Sequence, residues 1–201
     1  MKRNPNCDRC PLGKVCHTVC LWGEGNPSTN VMLIGEAPGY EEDRTGTPFI
    51  GQAGKLLEHV LRKLGVDRED LYITNVIKCR PPDNELPGKK ELMACWQGCK
   101  QYLDAEIKEV QPKIIVVLGG TPLNLMTGMT GITKHEGMVV CHRVEGKQQI
   151  PIIAAFHPAY VLRAPGKEVR LAQALARAFK LGGIKMRINK TMEIYPYEIR
   201  A

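Results

Sequence analysis

Four cysteines set far apart are the residues whose type and spacing most directly imply chemistry. Cys7 and Cys10 form a C-x-x-C pair near the N-terminus, Cys79 stands in C-R-P-P, and Cys95 in A-C-W-Q. Thiolates collected from such distances serve to bind a metal centre that staples a fold together. Zinc sites usually pair two C-x-x-C knuckles. One knuckle joined by two single cysteines fits an iron–sulfur cluster better, with zinc the lesser alternative. Cys99, four residues after Cys95 on the same helix face, is the alternate fourth ligand. Cys16, Cys20 and Cys141 remain, and buried packing is the expected place for spare thiols.

The second set of chemically able residues is polar and follows apolar runs. Gly35-Glu36-Ala37-Pro38-Gly39 follows Val31–Ile34, Asn75 closes Leu71–Val76, Gly119-Gly120 follows Lys113–Leu118, and His157-Pro158 follows Pro151–Phe156. A carboxylate, an amide, a glycine pair and an imidazole thus share one kind of position. An amide at the end of an apolar strand is costly unless it is paired. Phe49, bracketed by Pro48 and Gly51, offers a flat face between glycines that allow close backbone approach. Tyr160–Gly166 reads as a loop with apolar tips and a cation, a form able to wedge into a duplex.

The elements that must hold these residues alternate. The four apolar runs are strand-like, and helical spacing separates the first three. Leu56, Leu57, Val60, Leu61 and Leu64 repeat at helical intervals up to Gly65. A second helix is predicted over about Lys89–Val110, ended by Pro112, and a third over about Lys167–Leu181. Met138–Val144 with Gly146 predicts a strand and turn, hence one hairpin. Alternation of this kind gives α/β architecture: a three-layer α/β/α domain around a central, mostly parallel four-stranded sheet. Ligands of such sheets bind beyond the carboxyl ends of the strands, where the polar residues fall. A single domain over 1–185 is expected, with 186–201 a C-terminal tail that is loosely attached.

The chain has 201 residues, 43% of them hydrophobic and 5% aromatic, enough for one real core. It has no apolar run of membrane-spanning length and no signal-peptide pattern, so a soluble, cytoplasmic monomer without a membrane partner is expected. In a reducing compartment eight cysteines argue for metal ligation over disulfides. A net charge of +7 suits a polyanionic partner without identifying one.

Together these motifs resemble the family 4 uracil-DNA glycosylases, the iron–sulfur type. The resemblance rests on Gly35-Glu36-Ala37-Pro38-Gly39, on Gly46-x-Pro48-Phe49-x-Gly51-x-Ala53-Gly54, and on Asn75-Val76-x-Lys78-Cys79-Arg80-Pro81-Pro82. It also rests on His157-Pro158-x-x-x-Leu162-Arg163, on Cys7-x-x-Cys10, and on Gly23-x-Gly25-Asn26-Pro27. It spans about residues 7–181. Counting on from Cys79 selects Cys95 as the fourth ligand, whereas counting back from Tyr102-Leu103 selects Cys99. The chain also departs from the family at Cys16-His17-Thr18, where a basic residue is common.

The resemblance implies excision of uracil from single- or double-stranded DNA, leaving an abasic site, by a domain stapled with a structural [4Fe-4S] cluster on Cys7, Cys10, Cys79 and Cys95. It implies that Phe49 stacks on a flipped uracil, that Asn75 reads its O4 and N3 edge, and that His157 faces O2. Glu36 would lie beside the sugar, the Gly35 to Gly39 backbone including Ala37 would face the base, and Glu42 would exclude a thymine methyl. Leu162 and Arg163 would enter the DNA. Two other readings are a non-catalytic iron–sulfur DNA-binding module of a repair assembly and a zinc-stapled nucleotide hydrolase.

Overall fold

The computed structural model describes residues 3–145 and 148–187. The predicted apolar runs become the strands β2 (Val31–Gly35), β3 (Tyr72–Asn75), β4 (Ile114–Leu118) and β6 (Gln148–Ala155), and all four pair in parallel. Two further strands, β1 (Glu24–Gly25) and β5 (Val139–Glu145), add antiparallel edges. The six described strands run in the order β1-β3-β2-β4-β6-β5. The sheet is therefore wider than the predicted four, with the parallel four at its centre. β5 and β6 form the expected antiparallel pair, and the turn between them at 146–147 lies outside the described residues.

Alternation along each strand builds the three layers. Val31 and Leu33 of β2, with Val116 and Leu118 of β4, face one core. There they meet α2 (Gln52–Lys63) and α7 (Glu168–Gly182) through Leu57, Val60, Leu61, Leu171, Leu175 and Phe179. Met32, Ile34, Ile115 and Val117 point to the opposite face. That face is covered by α3 (Lys89–Val110) and α4 (Gly120–Thr127) through Leu103, Ile107 and Leu123, together with Leu12 from the N-terminal segment. Helix α3 has the predicted bounds, ending at Gln111 in a left-handed conformation just before Pro112. Among the described residues no helix is long and apolar enough to cross a membrane.

Several short elements depart from the predicted pattern. β1, α1 (Tyr40–Thr45), α4 and α5 (Ile132–His135) carry too few apolar positions to show a period. The segment read as a loop around Tyr160 is instead α6 (Pro158–Arg163), followed by a 3₁₀ turn at Pro165–Lys167. Pro158 at its first turn and His157 as its cap account for this, since proline is well placed at a helix start. Of the segment from 186 on, Met186 packs on the core and the Arg187 N–H donates to Gly65 O at 3.2 Å. Residues 188–201 lie outside the described residues.

The chain leaves β2 toward β3 on one side, while β4 connects toward β6 on the other. A crevice opens where such connections diverge, beyond the carboxyl ends of the strands.

Candidate active site

That crevice is a cavity of about 370 Å³, with Glu36, Ala37, Glu42, Phe49, Asn75 and His157 among its lining residues. Three strand ends thus deliver a carboxylate, an amide and an imidazole to one space. The glycine pair does not reach it. Gly119 instead packs beneath His157, where an added Cβ would stand 3.0 Å from the His157 Cβ.

At the floor of the cavity, Phe49 and Asn75 both rest on Gly35. A Cβ on Gly35 would lie 2.4 Å from Phe49 Cζ and 2.5 Å from Asn75 Oδ1, so only glycine leaves room for both. Asn75 is 3% exposed, and its Oδ1 has no hydrogen-bond partner among the described residues. An unpaired buried acceptor costs about 1–3 kcal/mol, which a ligand donor recovers. Gly35→Ala is expected to keep the fold and cost about 1–3 kcal/mol of stability through overpacking. Thermal denaturation reads that loss. Because the new methyl forces Phe49 and Asn75 apart, ligand binding should fall much further than stability. Unchanged affinity in the Gly35→Ala variant would show that the floor does not shape the site.

Phe49 is held against its own preference. Its φ of 53° is left-handed, a strained conformation for an aromatic residue. Arg68 donates to the carbonyls of both Pro48 and Phe49, at 2.9 Å for the latter. On the far side, Glu42 Oε1 accepts the N–H groups of Ile50 (2.9 Å) and Gly51 (2.8 Å), while Oε2 accepts Gly39 N–H (3.0 Å). The turn carrying Phe49 is thus tied to the α2–β3 connection and to α1. Gly39 N–H is consumed by Glu42, which removes one of the loop amides expected to face a base.

His157 follows β6 and caps α6. Its Nδ1 accepts Ala159 N–H at 3.1 Å, which places the ring proton of the neutral form on Nε2. Burial, then the charge of Arg163, lowers its pKa from 6.5 to about 4, against an opposing pull from Glu42. At neutral pH the ring is an uncharged N–H donor. It lies 5.7 Å from the Phe49 ring, centre to centre. Leu162 and Arg163, at the end of α6, are exposed and outside the cavity lining; Leu162 is 44% exposed.

An amide with a vacant acceptor, a neutral imidazole donor and an aromatic ring around one cavity are suited to a flat heterocycle with polar edges. The Uracil DNA glycosylase superfamily model matches residues 22–180. The type-4 uracil-DNA glycosylase of Thermotoga maritima is 43% identical over 171 residues, 84% of this chain and 84% of that protein. The type-4 enzyme of Pyrobaculum aerophilum is 38% identical over 179 residues, 87% of this chain and 88% of its own. For the type-4 enzyme of Archaeoglobus fulgidus the identity is 39% over 165 residues, 80% of each chain. The chain belongs to the type-4 uracil-DNA glycosylases.

In this type-4 family member the thiols stand mainly on the α3 side of the sheet. The Cys16 thiol stands beside Cys79, and the Cys95 thiol beside Cys10. Cys99 faces Cys10 and Cys79, and its Sγ accepts Lys78 N–H at 3.4 Å. Cys79 Sγ accepts Cys20 N–H at 3.3 Å, and Cys7 meets Tyr102. No cysteine is joined in a disulfide, and among the described residues no three ligating side chains converge on one point as a single metal ion requires. A thiol-only donor set is consistent with an iron–sulfur cluster, in which different cysteines bind different irons.

Cys16 and Cys20, expected as spare packing thiols, both stand against Cys79. The link between the thiols and the cavity floor leaves no local signal in the sequence. Lys78, one residue before Cys79 and 1% exposed, forms an ion pair with the wholly buried Glu106. Its Nζ also donates to Thr74 Oγ1 at 2.6 Å, and Thr74 Oγ1 donates to Glu106 Oε2 at 2.9 Å. Glu106 Oε1 accepts Gly23 N–H at 2.6 Å. A buried pair so bonded fixes β3 on α3, because removing one partner strands a charge. Asp43 plays a similar part for the N-terminal segment, accepting the His17 and Thr18 N–H groups at 3.0 and 2.8 Å.

Proposed function

We propose that this type-4 family member removes uracil from single- or double-stranded DNA as a cytoplasmic monomer, releasing the free base and leaving an abasic site. The observation that carries this reading is the buried, unpaired Asn75 Oδ1 above Gly35 and beside Phe49. Uracil N3–H is a donor suited to that acceptor, and the Asn75 amide N–H would meet O4.

A base inside a duplex is out of reach, so the nucleotide must swing out at a cost of a few kcal/mol. Stacking on Phe49 offsets about 1–3 kcal/mol of that. Heterolysis of the C1′–N1 bond leaves its electron pair on uracil and an oxocarbenium-like sugar, and water then adds at C1′. The site therefore stabilises separated charges. The neutral His157 Nε2–H would donate to O2 as negative charge grows there, a contribution of about 3–4 kcal/mol for a well-placed donor. Glu36 would stabilise the cation and orient the water, with Ala37 bordering the base. Glu42, immobilised by three backbone N–H groups, would present a fixed wall where a thymine methyl would project. Leu162 and Arg163 on α6 would enter the space vacated in the DNA.

Cys7, Cys10, Cys79 and Cys95 would hold a [4Fe-4S] cluster, which supplies structural cross-linking and no step of the reaction. The spacing from Cys79 supports Cys95 as the fourth ligand, and Cys99, which faces Cys10 and Cys79, is the alternate. Purified protein is expected to be brown with broad visible absorbance; a colourless preparation containing stoichiometric zinc overturns the cluster assignment.

The activity is tested by incubating the protein with uracil-containing and thymine-containing single strands, then with alkali. Cleavage at uracil alone is expected. An uncut uracil strand in the presence of a bound, folded protein would leave the non-catalytic DNA-binding reading in its place.

A further inference from the structure

Tyr40 opens α1 at the mouth of the cavity, which it helps to line, and it is 48% exposed. Two guanidinium groups crowd its ring. Arg80 lies 5.1 Å and Arg44 5.6 Å from the ring centre, and Arg44 Nη1 donates to the Tyr40 hydroxyl at 3.1 Å. Arg80 is aimed there by the loop after Cys79. Its Nε donates to Asn84 Oδ1 at 2.8 Å, and Asp83 and Asn84 are both left-handed, at φ 52° and 60°. Aspartate and asparagine tolerate this conformation in turns, so the loop turns sharply here and holds Arg80 against Tyr40. Pro81 and Asn84 of the same loop line the cavity. Glu41, beside Arg44, is a nearby acid.

An exposed ring flanked by guanidinium groups is suited to stacking, and stacking on aromatic or arginine faces is how single-stranded bases are held. The cations suit a phosphate, and the platform is continuous with the cavity. We propose that Tyr40, Arg44 and Arg80 form a subsite for the nucleotide next to the extruded uracil. Its base stacks on the Tyr40–Arg80 platform, and its phosphate pairs with the arginines. The subsite rests on the uracil-excision reading and adds to it a contact with one specific side of the lesion.

The test is fluorescence anisotropy with a short single strand carrying 2′-fluoro-2′-deoxyuridine, whose fluorine disfavours the sugar cation and so prevents cleavage. Tyr40→Ala is expected to weaken binding about tenfold. That loss should vanish on one of two trimmed strands, with the uridine placed at the 5′ or at the 3′ end, because one of them lacks the neighbour. Tyr40→Phe keeps the ring and should bind as the wild type does. Arg44→Gln and Arg80→Gln should each reduce the slope of log affinity against log salt by about 0.7. Should Tyr40→Ala not fold, the two salt slopes decide alone. Wild-type binding by Tyr40→Ala on every strand overturns the subsite, as does a Tyr40→Phe loss equal to that of Tyr40→Ala. A wild-type protein that does not prefer the uridine strand over a thymidine strand defeats the uracil reading itself, a separate result.

Discussion

Asn75→Asp is expected to slow uracil excision by roughly a hundredfold or more and to relax the rejection of cytosine. The asparagine amide offers one acceptor and one donor, the pattern that uracil N3–H and O4 require. A carboxylate keeps the acceptor but sets a second oxygen against O4, so an attraction becomes a repulsion in a buried place. Sites built to hydrogen-bond a substrate reject a mismatched partner by large factors, about 10⁴–10⁵ in favourable cases, because buried polar groups are left unpaired. Cytosine presents an amine at position 4 and an acceptor at N3. The same carboxylate accepts from that amine, so cytosine gains one good contact where uracil loses one, and the preference between them narrows. Single-turnover excision on strands carrying uracil or cytosine measures the change. Unchanged selectivity would take Asn75 out of recognition.

The legible parts of the fold were those written in long, continuous signals. Four buried parallel strands appear as unbroken apolar runs because both faces are covered, and Lys89–Val110 stops before a proline, which disfavours helix in the residue preceding it. The strand-end rule then located Glu36, Asn75 and His157 at one cavity. Elements held by a few specific bonds left no such trace. Helix α1 has no apolar period and is secured by the Glu42 bond to Gly39 N–H. The ion pair of Lys78 with Glu106 joins positions distant in sequence, and nothing local to Lys78 announces burial.

The same distinction separates the visible from the hidden parts of the site. Phe49 could be singled out by its flanking glycines, but not its left-handed φ or the Arg68 bonds that enforce it. Gly35 was legible as part of a turn-forming loop, whereas its physical role is a flat floor that admits two side chains at once. Roles set by packing across elements require the elements to be in place. This is why Gly119, part of a glycine pair similar in sequence to a ligand-facing loop, serves the seat of His157 instead.

His157→Ala is expected to lower single-turnover excision by about 10²–10³, the usual loss for one donor to developing negative charge. Affinity for the uracil strand should fall only modestly, since the donor matters most once the bond begins to break. Collapse of affinity instead would make the residue a binding or folding element. The pH profile supplies an independent check. The ring's pKa is lowered from 6.5 to about 4 in the folded protein, first by burial and then by Arg163. Because a proton is not needed, activity should stay level as pH falls through 6.5 and decline only toward 4. Stability runs the other way from a paired histidine. The unfolded chain takes up the proton first, so the contribution is full above 6.5 and is lost as pH drops to about 4. The whole loss amounts to about 3 kcal/mol. His157→Ala should therefore lose less stability than the wild type over that window. An inflection of wild-type activity near 6.5 would mean that the imidazole titrates as if in water, and the neutral-donor role would fail with it.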